Sequence, residues 1–78
     1  MPPPYRVQFC VPPGYQYLIA EIYLHDRHVA ELNTESGYLQ VDIFTPPADG
    51  SARFRLDELL PALQAAECEL RLRSVFFA

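Results

Sequence analysis

The sequence of 78 residues contains no lysine: all six basic residues are arginines, and ten acids bring the formal net charge to −4. Nucleic-acid binding requires cationic groups that displace counterions from phosphates, so this balance argues against a nucleic-acid ligand. A negative surface suits a basic protein partner better, because opposite charges speed and orient the encounter. The alternative is that the charge only keeps the protein soluble, as in many mildly acidic proteins.

Glycine-rich loops and nucleophile motifs are also missing. The three glycines, Gly14, Gly37 and Gly50, are isolated in turns, so the sequence has no phosphate-binding loop. There is no CxxC pair and no pattern typical of a serine–histidine–acid triad. We therefore expect a protein that is not an enzyme and that carries no cofactor.

The sequence has no run of 18 apolar residues and no charged-then-apolar leader, which predicts a cytoplasmic protein that does not enter a membrane. Its two cysteines, Cys10 and Cys68, lie far apart in the chain. In a reducing compartment we expect both to be free thiols, and the alternative is one long-range disulfide.

Half of the residues are apolar, and their order predicts a single α+β domain over residues 1–78. Alternation of apolar and polar residues predicts an antiparallel β-meander of four to five strands, and residues 1–4 are predicted as an extended lead-in. The strands are expected near residues 5–11, 15–24, 29–33, 38–44 and, as a short fifth strand, 52–56.

The strand near residues 38–44 has the clearest alternation. Leu39, Val41 and Ile43 fall on one side, whereas Gln40 and Asp42 fall on the other. Period two over this length predicts a dry face that packs on the core and a wet face in solvent. We expect one C-terminal helix to pack on the dry face.

That helix is predicted from an apolar stripe, with Asp57 as a candidate N-cap. Pro61 is awkward near the start because it lacks an N–H, so the helix begins either at this cap or near Leu60. The residues expected to face the core are Leu59, Leu60, Leu63, Ala66, Glu67 and Leu70.

Residues 74–78 form an apolar tail that contains Val75, Phe76 and Phe77. A free terminus is usually polar, so these side chains need cover. We expect the tail either to fold back under the edge of the sheet or pair as a last strand, or else to form a docking surface for a second copy or another partner.

Three acids from successive strands, Glu21, Glu31 and Asp42, are predicted to project from the wet face with Tyr23 and Tyr38 nearby. Acid–base catalysis by paired carboxylates needs a cleft that raises one pKa, and a small flat sheet seldom supplies one. The patch is either a solvated face without a specific partner or a recognition surface for a cationic protein, since tyrosine is a favoured interface anchor.

His25, Asp26 and His28 surround a tight reversal between two strands. Two imidazoles and a carboxylate can bind a metal, but a closed zinc site has four ligands. We therefore interpret this segment as a solvated turn and expect no metal.

The run AEIYLHDRHVAELNTESGYLQVDIF, followed by FRLDELLPALQAAE, resembles a group of short bacterial proteins. The resemblance covers residues 20–67 and concerns the order of elements: a strand, a tight turn, VAE, a glycine turn, a strand and an LDELL helix. The turn has Arg27 where those sequences usually have glycine. Small acidic proteins of this build are often immunity proteins of polymorphic or contact-dependent toxin systems. The resemblance thus implies an immunity protein that occludes a toxin, and it assigns no functional residue.

These observations together predict a protein-binding module. Its wet face, formed by Glu21, Tyr23, Glu31, Tyr38 and Asp42, is expected to meet a basic partner such as a toxin domain. The alternative is a homodimeric structural or accessory subunit, joined through an exposed strand or the apolar tail. The sequence does not say which strand lies at the edge of the sheet.

Overall fold

The computed structural model describes residues 4–44 and 53–74. Four strands form one sheet in the order β1-β2-β3-β4, every neighbouring pair is antiparallel, and one helix follows. The predicted α+β meander with a C-terminal helix is therefore confirmed. The elements are β1 Tyr5–Cys10, β2 Ile19–Leu24, β3 Arg27–Asn33, β4 Gln40–Ile43 and α1 Leu56–Ser74.

The element boundaries differ from the predicted ones at several ends. β2 begins at Ile19, so residues 11–18 form a long connection that starts with two prolines, which supply no backbone donors. The predicted fifth strand is wrong, because residues 53–55 are not in a strand and Leu56 already begins the helix. The expected dimer contacts Val75, Phe76 and Phe77 lie outside the described residues.

The turn between β2 and β3 holds two side-chain-bearing residues in the left-handed region. His25 has φ of 49° and Asp26 has φ of 66°, between the paired residues Leu24 and Arg27. A two-residue turn of this kind matches the twist of its strands but normally uses Asn-Gly or Asp-Gly. Beyond the turn a β-bulge shifts the register, because Tyr23 pairs with His28 while Ile22 pairs with Ala30.

The helix begins earlier than either predicted start. The carbonyl of Arg55 accepts hydrogen bonds from the amides of Glu58 at 3.1 Å and Leu59 at 2.9 Å, so Arg55 is the N-cap residue. Pro61 therefore lies inside the helix. Its missing N–H leaves the Asp57 carbonyl without the usual intrahelical donor.

The core lies between the helix and one face of the sheet. On the helix, Ala62 and Ala66 are 0% exposed and Leu70 is 2% exposed, whereas Leu60 and Glu67 are exposed, contrary to the prediction. Small side chains allow the helix backbone to approach the sheet closely. The core cluster consists of Ala20, Ile22, Leu24, Val29, Ala30, Leu32, Ala62, Ala66 and Leu70.

The helix covers only half of this face. Its close contacts are with β1 and β2. On β3, Val29, Ala30 and Leu32 are still buried in the core cluster, so β4 is the strand left open on this face. Val41 and Ile43 point to the helix side by register but remain 43% and 46% exposed. The prediction that they are buried against the core is therefore wrong. No helix in residues 53–74 is both long and apolar enough to cross a membrane.

Candidate functional site

The three predicted acids form one row on the face of the sheet opposite the helix, which we call the outer face. Glu21 pairs with Glu31, and Glu31 pairs with Asp42, so the three carboxylates come from adjacent strands at the same level. Neighbouring strands are about 4.8 Å apart, and side chains at paired positions share a face. We call Glu21, Glu31 and Asp42 the carboxylate row.

The members of the carboxylate row differ in exposure. Asp42 is exposed and Glu21 is half-buried, but Glu31 is only 6% exposed. The prediction that all three acids reach solvent is wrong for Glu31. Glu31 adds its charge to the outer face but is not available for direct contact with a large partner.

A hydrogen-bond network holds the buried carboxylate. The Tyr15 hydroxyl donates to Glu31 Oε2 at 2.9 Å. Asn33, which is 2% exposed, donates from Nδ2 to Glu31 Oε2 at 3.0 Å and to Asp42 Oδ2 at 2.9 Å. A buried charge is tolerated only with such donors, and here one amide group bridges two like charges.

The connection between β1 and β2 crosses the outer face and explains the burial of Glu31. Tyr15 lies in this connection, and the Glu35 carboxylate accepts hydrogen bonds from the amides of Gln16 at 3.1 Å and Tyr17 at 3.1 Å. The Glu35 amide in turn donates to Asn33 Oδ1 at 3.2 Å. These bonds fasten residues 11–18 over one end of the sheet.

A second row of side chains runs beside the carboxylate row. The Arg6 guanidinium lies 4.2 Å from the centre of the Tyr23 ring, and the Tyr23 and His28 rings stack with centroids 4.8 Å apart. His28 meets Phe44 in an edge-to-face contact, also at 4.8 Å. We call Arg6, Tyr23, His28 and Phe44 the stacked row. Within this row His28 and Phe44 are exposed and Tyr23 is half-buried.

The two predicted tyrosines lie at opposite ends of the carboxylate row. The Tyr23 hydroxyl is 3.5 Å from Glu21 Oε1, so this tyrosine belongs to the patch. Tyr38 is 66% exposed and precedes β4. It lies four positions before Asp42, and four residues of extended chain span about 13 Å. Tyr38 is therefore accessible but separate from the centre of the patch.

The acids of the helix and the acids of the carboxylate row differ in their ion pairs. On the helix, Asp57 pairs with Arg55 at 2.6 Å, and Glu67 pairs with Arg71 at 2.9 Å. The remaining two contacts join Glu69 to Arg73 and Glu58 to His25. Within residues 4–44 and 53–74, no member of the carboxylate row has an ionic contact with an arginine or histidine.

The carboxylate row also perturbs its neighbours. The hydrogen bond from the Tyr15 hydroxyl to Glu31 raises the pKa of the Tyr15 phenol, because the carboxylate stabilises the protonated form. Partial burial and then the charge of Glu21 raise the pKa of the Cys10 thiol, which is free. A raised pKa disfavours the thiolate, which is the reactive form of cysteine. On the helix side, the hydrogen bond from Arg55 lowers the pKa of Asp57.

The outer face is shallow beside the carboxylate row. A shallow recess of about 210 Å³ is lined by Gly14, Tyr15, Asn33, Glu35, Gln40 and Asp42. The part of the chain that the structure describes holds no cluster of three or more histidine, cysteine or acidic side chains placed for a metal ion. The two histidines point to different neighbours, since His25 Nε2 contacts Glu58 Oε2 at 3.0 Å while His28 stacks on Tyr23.

Sequence reasoning did not find Asn33, Tyr15 or the stacked row. Asn33 follows Glu31 at the spacing that shares a strand face, which was the available signal. The position of Tyr15 depends on how a long connection folds, and no local pattern encodes that. Comparisons of the chain with protein-family models, curated proteins and solved structures found no match.

Proposed function

We propose that this protein is a non-enzymatic binding module whose outer face recognises a basic protein partner. One observation carries the proposal: the helix acids pair with basic residues, whereas the described contacts give the carboxylate row no cation. Glu21 and Asp42 thus supply accessible negative charge at the centre of the outer face. Buried Glu31 strengthens the same field.

The negative charge of the row opposes folding, which supports a functional role. Like charges directly opposite one another in a sheet are destabilising. Asn33 and Tyr15 relieve this repulsion through hydrogen bonds, and among the described residues no arginine or histidine forms an ion pair with the row. A cationic partner would supply the missing charge, so binding would relieve a repulsion that the free protein retains.

Residues next to the row suit a protein surface better than a small ligand. The recess beside Tyr15 is shallow, whereas ligand pockets enclose most of their ligand. Tyr23 and Tyr38 lie on either side of the row along the strands, and tyrosine is enriched among residues that anchor interfaces. The finer form of the proposal is an immunity protein that covers the basic surface of a cognate toxin and thereby excludes its substrate.

Charge reversal tests the proposal. The variant Glu21→Lys/Asp42→Lys is compared with the control Glu67→Lys/Glu69→Lys, which changes the net charge equally but on the helix. The probe is the protein encoded by the adjacent reading frame, produced in an inactivated form. We expect wild type and control to bind it, and the outer-face variant to bind about tenfold or more weakly.

Salt dependence and growth complete the test. Wild-type binding should weaken as salt rises, because exposed charges are screened over about 10 Å at 0.1 M. If the active probe arrests growth, wild type should restore it and the outer-face variant should not. Unchanged affinity of the outer-face variant would contradict the proposed surface.

A further inference from the structure

The outer edge of β4 carries backbone groups that point away from the sheet. The Phe44 amide donates to the Val29 carbonyl of β3 at 2.8 Å, so Phe44 points inward. Backbone direction alternates along a strand, and therefore Asp42 also points to β3 while Val41 and Ile43 point outward. β4 is the last strand in the sheet order, and no described residue pairs with its outer side.

Side chains beside these outward groups are apolar and open. Val41 is 43% exposed and Ile43 is 46% exposed. The other edge strand, β1, differs: its apolar side chains Val7 and Phe9 pack against the core beneath the helix, and Arg73 lies 4.1 Å from the centre of the Phe9 ring. Extending the sheet at β4 would thus bury more apolar surface than extending it at β1.

We propose that a second copy of this chain pairs with β4, antiparallel to it, across a two-fold axis at Val41. In this register Val41 faces Val41 of the second copy, Leu39 faces Ile43, and Gln40 faces Asp42. The four-stranded sheets join into one sheet of twice the width. On the helix side, the apolar side chains of the two copies then form one continuous surface. On the outer face, Gln40 of each copy lies opposite Asp42 of the other.

Charge selects this register over its neighbour. Moving the axis by one residue places Asp42 opposite Asp42 of the second copy, and like charges directly opposite are destabilising. An axis between Val41 and Asp42 would set an apolar side chain of one copy against an acidic one of the other. Of the axes at the two middle residues of β4, Val41 and Asp42, only the axis at Val41 keeps the acids apart. The contact is small, so the dimer is expected to be weak and concentration-dependent.

Cysteine cross-linking tests both the contact and its register. Val41→Cys and Asp42→Cys are made separately in a Cys10→Ser/Cys68→Ser background and oxidised under mild conditions. In the proposed dimer the two Val41 Cα atoms are about 5.5 Å apart, within disulfide range. The two Asp42 Cα atoms are about 7–8 Å apart, which is too far for a ready disulfide.

We therefore expect Val41→Cys to shift from the 8.9 kDa monomer to twice that mass, and Asp42→Cys to stay monomeric. Preferential cross-linking of Asp42→Cys would overturn the register. Equal rates in both variants would indicate random collision and would overturn the dimer.

Sedimentation of the unmodified chain provides an independent test. Val41→Pro removes an N–H that points outward, so it blocks the edge without removing a bond to β3. We expect the sedimentation coefficient of wild type to rise with concentration, and that of Val41→Pro to stay at the monomer value. Leu72→Gln, at an exposed apolar site on the helix, should behave as wild type. A wild-type monomer at all concentrations, or a dimer that persists in Val41→Pro, would overturn the proposal.

Discussion

The two halves of the sheet are covered in different ways. On β1 and β2 the helix packs with small and aliphatic side chains, and Ala20 and Ile22 are 0% exposed. On β4, Val41 and Ile43 remain more than two-fifths exposed on the same face. The buried side chains of β2 and β3 form one core cluster with the helix. β4 carries Asp42 and the edge with which no described residue pairs, and both of our proposals depend on this strand.

The outer face is covered by a different part of the chain. There the connection 11–18 covers one end of the sheet, and Tyr15 fastens it to Glu31 of β3. Asn33 then links β3 to β4 through Asp42. Apolar packing therefore holds β2 and β3 against the helix, whereas side-chain hydrogen bonds add to the attachment of β4. These hydrogen bonds keep the carboxylates of Glu31 and Asp42 on the outer face, where their charge can attract a protein partner.

The sharpest comparison of the two halves uses the same substitution in each. Ile22→Ala should lower the free energy of unfolding by about 2–5 kcal/mol, because it leaves a cavity in the core. Ile43→Ala should lower it by less than about 1 kcal/mol, since that side chain is nearly half exposed. Urea denaturation of dilute samples measures both. Equal losses would mean that the β4 half is packed as tightly as the core.

The next effect concerns the polar attachment of β4. Asn33→Ala should lower the free energy of unfolding by about 1–3 kcal/mol, because Glu31 stays buried after losing a donor. Asn33→Asp should lower it further at neutral pH, since a third carboxylate then lies beside Glu31 and Asp42. Thermal unfolding ranks the two variants. An Asn33→Asp variant as stable as wild type would contradict the role of this amide.

A smaller effect, of opposite sign, is expected at the turn that joins the halves. Asp26→Gly should raise the free energy of unfolding by about 0.5–1 kcal/mol, because glycine adopts φ of 66° without strain. Asp26→Val should lower it, since a β-branched residue is poorly tolerated there. Chemical denaturation compares the pair. If both variants were destabilised equally, the Asp26 carboxylate rather than its backbone would matter.

The smallest effect appears only at alkaline pH. The pKa of Tyr15 is raised above its ordinary value of 10.0, so the phenol binds its proton more tightly in the folded state. Its contribution to stability is complete below that value and is lost as pH rises through the folded pKa. Stability should therefore fall more steeply above pH 10.0 in wild type than in Tyr15→Phe. Identical slopes would mean that the Tyr15–Glu31 bond does not form in solution.

The fold was predictable where the pattern is local. Alternation in Ala20, Ile22 and Leu24 gave the buried side of β2, and acids and arginines at the two ends marked the helix. The helix start was not predictable, since a proline inside a helix is normally unfavourable by about 3 kcal/mol. Here the helix includes Pro61, and the turn before the proline places Leu59 against the core.

The candidate site was predictable in position but not in accessibility. The alternation of side chains between the two faces of a strand, which we call parity, was enough to put Glu21, Glu31 and Asp42 on one face. Parity gives no information about what crosses that face, so the cover that Tyr15 places over Glu31 was missed. Parity likewise assigned Val41 and Ile43 to the dry face, but it could not show that the helix is too narrow to reach them.

Strand register is the claim on which both proposals depend, and nuclear Overhauser contacts between backbone protons measure it directly. We predict contacts that pair Glu21 with Glu31 and Glu31 with Asp42. Contacts that instead pair Glu31 with Val41 or Ile43 would contradict the account. Such a one-residue slip would move the Asp42 side chain to the helix side and the Val41 side chain to the outer face. Neither the carboxylate row nor the proposed pairing of apolar side chains along β4 would then exist.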